Sequence, residues 1–216
     1  MQISLDRASS ISLLGLLLFA LAPPLDARAQ TPDPQSAYCE NRGNAYARDV
    51  QIDGCTAVIR SGRETPDKLA LAFSRRGNAY AALKEYANAI ADFDQAGQLA
   101  PNNSSYQNNR CWWRAVANRE LEVARAACDA ALELDPGYAS AFDSRGMVGL
   151  RQGRFMDAWH DYDAAKRRSD QYAPSYPSFL FGRGVATLGL GRGKEGQADI
   201  ALATQLDARI AQTYAS

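Results

Sequence analysis

Histidine occurs once in 216 residues, at His160. That scarcity removes most zinc and Ser-His-Asp chemistry before any motif is sought, because both need imidazole as ligand or base. Surplus charge is also absent, with 24 Lys and Arg against 24 Asp and Glu. A nucleic-acid binder neutralises phosphates with an excess of cations, and a membrane-surface binder needs a polybasic cluster. This composition supplies neither. The four cysteines form no Cys-x-x-Cys pair, which excludes the commonest metal spacing and leaves no metal site to expect. A hydrophobic share of 46% and a charged share of 22% are ordinary for a folded chain and argue against wholesale disorder.

The one conspicuous apolar run, Ile11–Ala22, has 12 residues, short of the roughly 20 that a membrane-spanning helix needs. Arg7 precedes it, Pro23-Pro24 ends it, and Ala27-Arg28-Ala29 follows. Small residues at −3 and −1 of a cut after Ala29 fit a secretory signal peptide over 1–29. The other reading of the same run is a short membrane anchor that is retained, since Asp6 beside Arg7 leaves the leading segment without net positive charge. No cysteine follows the run to mark a lipoprotein. A cut leaves residues 30–216, 187 in all, with 22 charges of each sign and no membrane span. Export places the chain in the periplasm or outside the cell, in a Gram-negative envelope, where oxidising conditions bear on the cysteines.

The remainder repeats itself, which is the first property to test in a sequence of this length. Phe73-Ser-Arg-Arg-Gly-Asn-Ala-Tyr80, Phe142-Asp-Ser-Arg-Gly-Met-Val-Gly149 and Leu180-Phe-Gly-Arg-Gly-Val-Ala-Thr187 each carry an apolar residue, two variable ones, then Arg-Gly. Tyr86–Ala96 parallels Phe155–Ala165, and Pro101 and Pro136 close two units 35 residues apart. These residues resemble the tetratricopeptide repeat, a helix–turn–helix unit. In 70–103 the family's small, aromatic and proline positions fall on Gly77, Tyr80, Ala89, Phe93, Ala96 and Pro101; in 139–172 they fall on Phe142, Gly146, Ala158, Tyr162 and Ala165. Weaker copies span 104–138 (Ala124, Cys128, Ala131 and Pro136, with Cys111 in place of the glycine) and 177–210 (Gly184, Ile200, Ala203), and an atypical unit opens at about 35–62. The resemblance implies an all-α, right-handed superhelical solenoid of about five helix-turn-helix repeats over 30–216. Apolar spacing agrees: Ala89, Ile90, Phe93, Ala96 and Leu99 recur three and four apart. One hairpin cannot bury such a face alone, so the units stack.

Cys39…Cys55 and Cys111…Cys128 are spaced 16 and 17 apart, each pair with one cysteine on either helix of one hairpin. In this alignment Cys39 answers to the motif glycine, and Arg42-Gly43 is a decoy. Four cysteines allow three connectivities. Symmetry favours disulfides Cys39–Cys55 and Cys111–Cys128, with small buried thiols as the alternative.

No constellation for catalysis emerges, and neither an enzyme nor a cofactor is expected. His160 reads as a surface residue. Gly182-Arg-Gly-Val-Ala-Thr-Leu-Gly-Leu-Gly-Arg-Gly-Lys194 fails as a phosphate loop, having Glu195 where Ser or Thr belongs and no preceding strand. Six of the 16 glycines fall within 182–196, and each costs about 1 kcal/mol in a helix, so the last unit is expected to be the least stable. Asp92/Asp94 and Asp161/Asp163 read as solvated charges.

The resemblance also implies a concave face, lined by the first helices, that binds a partner's peptide or helix. Its positions carry over to Glu40 and Asn44; Ser74 and Asn78; Asn108 and Trp112; Asp143, Met147 and Arg151; and Phe181 and Val185. Asn amides both donate to and accept from a peptide backbone, and Trp112 offers an apolar platform of the type enriched at binding hot spots. The carboxylate-clamp lysines of some relatives are missing, with Ser74 at one of their places. The expected function is a non-enzymatic protein-interaction scaffold of the cell envelope. The alternative is a self-associating structural subunit, dimerising through an uncapped last repeat, since only six residues follow Ile210.

Overall fold

The computed structural model describes residues 33–214; the segment 1–29 expected to be a signal lies outside them. Ten helices pair into five antiparallel hairpins: α1 (Pro34–Glu40) with α2 (Arg48–Arg60), α3 (Pro66–Ala82) with α4 (Tyr86–Leu99), α5 (Ser104–Val116) with α6 (Leu121–Leu134), α7 (Ala139–Arg151) with α8 (Phe155–Arg167), and α9 (Tyr176–Gly189) with α10 (Gly193–Leu206). A short helix, α11 (Ile210–Tyr214), follows. The described residues contain no strand, and none of their helices is long and apolar enough to cross a membrane.

Local chemistry sets the helix ends. Asp33, Thr65 and Asn103 cap α1, α3 and α5 by accepting from backbone N–H groups of the first turn, and Pro34 and Pro66 open their helices where a missing N–H costs nothing. Between the helices of a pair, the residue seven positions after Gly77, Cys111, Gly146 and Gly184 adopts positive φ in every case: Lys84, Asn118, Gly153 and Gly191. The first unit differs. Its α1 ends at Asn41 in the left-handed region, and Arg42-Gly43-Asn44 forms a 3-10 turn, so Arg42-Gly43 is loop and not helix.

Each hairpin is closed at one crossing point, sixteen or seventeen residues apart in sequence. A Cβ on Gly77 would stand 3.1 Å from the Phe93 ring, one on Gly146 2.8 Å from the Tyr162 ring, and one on Gly184 2.7 Å from Ile200. In the first and third units cysteines occupy both sides of that crossing. The Sγ atoms of Cys39 and Cys55 are 2.04 Å apart, and those of Cys111 and Cys128 are 1.99 Å apart. The same contact is thus made by glycine against a ring or branched side chain, or by a cysteine pair.

The arginine of each Arg-Gly motif runs a second repeat through the stack. Arg76 makes a two-pronged pair with Asp92 of its own hairpin (2.8 Å at both ends) and donates to Thr56 of the preceding one at 2.9 Å. Arg145 likewise joins Asp161 of its own unit to Asp129 of the previous one, and Arg183 joins Asp199 to Asp163. In the third unit Arg110 and Arg114 both hold Asp94 of the unit before. This corrects the reading of Asp92/Asp94 and Asp161/Asp163 as solvated charges. Asp92, Asp161 and Asp163 are buried, and all four carboxylates are ion-paired. Burial raises the Asp94 pKa, but hydrogen bonds from Arg114 and Arg110 outweigh it and hold the carboxyl below its ordinary range.

The glycines of the last hairpin also have a packing role. Gly182 faces the Tyr162 ring, Gly189 faces Phe155, and Gly184 and Gly196 meet across the α9–α10 crossing. Their helix-weakening cost is therefore set against close approach that no larger residue allows.

Two outcomes follow. A Cβ at Gly182 would lie 2.2 Å from the buried Tyr162 ring, against 3.1 Å for Gly77 and Phe93. Gly182→Ala is expected to cost about 1–3 kcal/mol in urea unfolding, as overpacking does, and more than Gly77→Ala; equal costs would contradict the geometry. Non-reducing peptide mapping of protein from its native compartment is expected to recover Cys39 linked to Cys55 and Cys111 linked to Cys128, with reduction lowering stability by roughly 3 kcal/mol per bond.

Candidate functional site

The first helices α5, α7 and α9 pack side by side, and α1 packs on α3, whereas α3 and α5 barely touch. The concave row is therefore two blocks with a break between the second and third hairpins. Trp113 of α5 packs against the second hairpin, stacked parallel to Phe93 with ring centres 6.2 Å apart and close to Tyr86 at 6.1 Å.

The expected face residues divide accordingly. Glu40, at the end of α1, pairs with Arg42 at 2.7 Å and Arg75 at 3.8 Å, and lines a cleft of about 290 Å³ with Val58, Lys68, Leu71 and Arg75. The hydrogen bond from Arg42 lowers its pKa, although the site is open to water. Asn44 is not on a helix face. It lies exposed in the 3-10 turn, where its side-chain oxygen accepts from Arg48 at 2.9 Å, because α1 stops four residues short of the register the resemblance implied. Ser74 is buried in α3, and Asn78, one turn on, is exposed. Asn108 is buried in α5 with no hydrogen-bond partner for its Oδ1 among the described residues. Trp112 is half-buried against Cys111, Cys128 and Met147, so one side of its ring belongs to the core.

The remaining five residues gather around one cavity. Met147, Arg151, Phe181 and Val185 line about 330 Å³ together with Leu150, Ala211 and Tyr214. Asp143 lies on the same face, joined through Ser178: the Ser178 hydroxyl donates to its carboxylate at 3.1 and 3.3 Å, and the Tyr214 hydroxyl meets Ser178 Oγ at 3.1 Å and donates to the Ser178 carbonyl at 3.0 Å. Burial pushes the Asp143 carboxyl up to about 7, outweighing the lowering effect of the hydrogen bond from Ser178. Burial also raises the Tyr162 and Tyr214 phenols, which stay neutral through the physiological range.

Ser178 and Tyr214 were absent from the expected face. Ser178 sits one turn before Phe181 and had no distinguishing neighbour in the sequence. Tyr214 lies beyond the last repeat, where repeat register carries no information. Its position also revises the expectation of an uncapped end, since α11 packs on α9 and α10 with Ile210 buried. His160 is exposed, its ring edge-on to Trp159 at 5.2 Å.

Stacked antiparallel helix pairs with their first helices along one face define a helical-repeat solenoid. More particularly, residues 70–103 match the tetratricopeptide repeat model, so the chain contains a tetratricopeptide repeat. Over 73 residues it is 38% identical to the TPR repeat-containing thioredoxin TTL4 of Arabidopsis thaliana; that match covers 34% of this chain and 11% of the relative's length. Among solved structures it is similar to the MamA protein, with TM-score 0.61 and 18% identity over 82% of this chain and 94% of that one. MamA of Desulfovibrio magneticus RS-1 gives TM-score 0.62 and 16% identity over 82% and 96%. The TPR2B domain in the TPR2B-domain:pHsp70 complex of yeast Sti1 gives 0.51 and 19% over 58% and 98%. At these identities the likeness is one of fold.

The raised Asp143 carboxyl makes a signed prediction. Unfolded, it ionises near 4; folded, it keeps its proton to about 7. Between those values the folded state binds more protons, so this group lowers stability as pH rises from 4 to 7 and leaves it lowered above. Asp143→Asn is expected to flatten that part of the profile and to raise the unfolding temperature at pH 8 relative to wild type. A variant curve parallel to the wild-type curve across pH 4–8 would contradict it.

Proposed function

We propose that this chain is a non-enzymatic scaffold of the cell envelope that docks a peptide or helix of another protein on its concave face. The observation that carries the reading is the cavity of about 330 Å³ to which α7 and α9 each contribute apolar side chains, with Arg151 and the Tyr214 phenol as polar members of its lining. Concave, mostly apolar sites with a few convergent polar groups are the usual form of a recognition site. An apolar groove between helices suits an amphipathic partner segment. The Sti1 domain, seen in complex with pHsp70, supports another protein as the source of the ligand.

A non-enzymatic role is favoured by the chemistry of the Ser178–Asp143 pair near the cavity. Ser178 and Asp143 share a proton without an imidazole between them, and the lone histidine stands exposed on α8 beside Trp159. The location in the envelope rests on the apolar run with its small-residue cut site, and on two cysteine pairs at bonding distance, which suit an oxidising compartment.

The test is affinity capture from envelope fractions with wild-type bait and three variants. Asn78→Ala, Trp112→Ala and Val185→Arg are expected to lose captured partner by about tenfold or more, as hot-spot truncations do, while His160→Ala on α8 captures normally. Trp112 and Val185 also touch the core, so their results count only if circular dichroism shows the variants folded; the exposed Asn78 does not share that difficulty. Capture undiminished in all three variants would sink the proposal.

A further inference from the structure

Tyr214, from the short helix α11, forms one wall of the cavity on the concave face. Tyr214 packs its ring against Phe181 with centroids 4.8 Å apart and against Tyr162 at 6.5 Å, and places its hydroxyl on Ser178. With the Ser178 hydroxyl committed to Asp143, the phenol is the donor, and the Ser178 carbonyl accepts at 3.0 Å. A ring slot with a hydrogen-bond acceptor at its end is the complement of a tyrosine.

Three observations separate this contact from simple capping of the last repeat. First, Ile210 and Tyr214 of α11 lie one helical turn apart, Ile210 buried and Tyr214 half-buried, while Ala211 and Gln212 are exposed. Second, Tyr214 reaches past the last hairpin to the side chains around Met147 and Tyr162, on α7 and α8, where a cap would cover α9 and α10 alone. Third, the slot is incompletely filled: open volume remains beside the ring, lined by Leu150, Arg151 and Val185.

We propose that this slot is the recognition site for a partner segment bearing a tyrosine with an apolar residue four positions before it, and that α11 is the resident stand-in which such a segment displaces. The inference deepens the groove reading and rests on it. The partner's chemistry is read from the occupant: an amphipathic turn presenting an Ile-like residue and a phenol donor to Phe181, Tyr162 and Ser178. Tethered beside its slot, α11 acts at an effective concentration on the order of millimolar, so an outside segment binds the intact chain weakly and a chain lacking the phenol strongly.

The experiment uses the full chain and a fluorescein-labelled synthetic peptide copying residues 207–214, Asp-Ala-Arg-Ile-Ala-Gln-Thr-Tyr, read by fluorescence anisotropy. Tyr214→Ala is expected to bind the peptide at least tenfold more tightly than wild type. Replacing the peptide's tyrosine with alanine, or adding Val185→Arg to the variant, should remove at least tenfold of that affinity. Tyr214→Phe, which keeps the ring and drops only the donor, should fall between the two, and carries the test should the alanine variant fail to fold. Equal binding to wild type and variant, or none to a folded variant, overturns the proposal. If that happens while capture of an envelope partner is still lost on Asn78→Ala, the groove reading survives and only the slot assignment falls. A wild-type mass that doubles with concentration and reverts in Tyr214→Ala also overturns it, in favour of exchange of α11 between copies.

Discussion

Everything in this molecule depends on how closely two helices of one hairpin approach. At a single crossing in each unit the backbones come together only because one partner is glycine, as at Gly77, Gly146 and Gly184, or because both are cysteine. Widening that crossing by a methylene would push Phe93 or Tyr162 out of its place and shift the helix that presents the next unit's surface. Since interiors are packed to crystal-like density, such a shift is passed on and not absorbed. The Tyr162 ring shows the coupling, lying between Gly146 of its own hairpin and Gly182 of the next, so one side chain sets both the spacing within a unit and the spacing between units.

The arginines add register to spacing. Arg145 and Arg183 each reach one carboxylate in their own hairpin and one in the hairpin before, and Arg76 does the same with Thr56 in place of the second carboxylate. Burial alone would disfavour these charges. The paired carboxylates reverse the balance and push the Arg145 guanidinium above its ordinary value. The even count of acids and bases, first useful for setting nucleic acid aside, is thus partly consumed inside the stack.

The fold was legible because its causes are local and repeated. The Arg-Gly spacing, the small residue twelve positions on and the recurring aromatic all lie within one unit, and the paired cysteines stood out because they fell where Gly77 and Phe93 fall. The site was legible in part. Met147, Arg151, Phe181 and Val185 share a cavity because Met147 and Val185 occupy equivalent positions on adjacent helices and Arg151 and Phe181 lie one turn from them on the same faces. Asn44 was misplaced because α1 stops early in a unit whose turn departs from the others. Tyr214 and Ser178 could not be read, since they meet through tertiary contact across 36 residues with no periodic signal. The acidic pairs were misread because residues two apart on a helix face different neighbours: Asp92 turns to its own hairpin's arginine, and Asp94 turns to those of the next.

The placement of the two cysteine pairs has a mechanical consequence. Each pair lies within one hairpin, never between hairpins, at a separation of 16 or 17 residues. When the pairs are closed, a pulling force can part α2 from α3 or α4 from α5, yet the first and third hairpins cannot be drawn out. Each withholds on the order of 50 Å of chain from the stretched length. Under load such a stack would lengthen in unequal steps, long where a hairpin is closed by glycine and short where it is closed by sulfur.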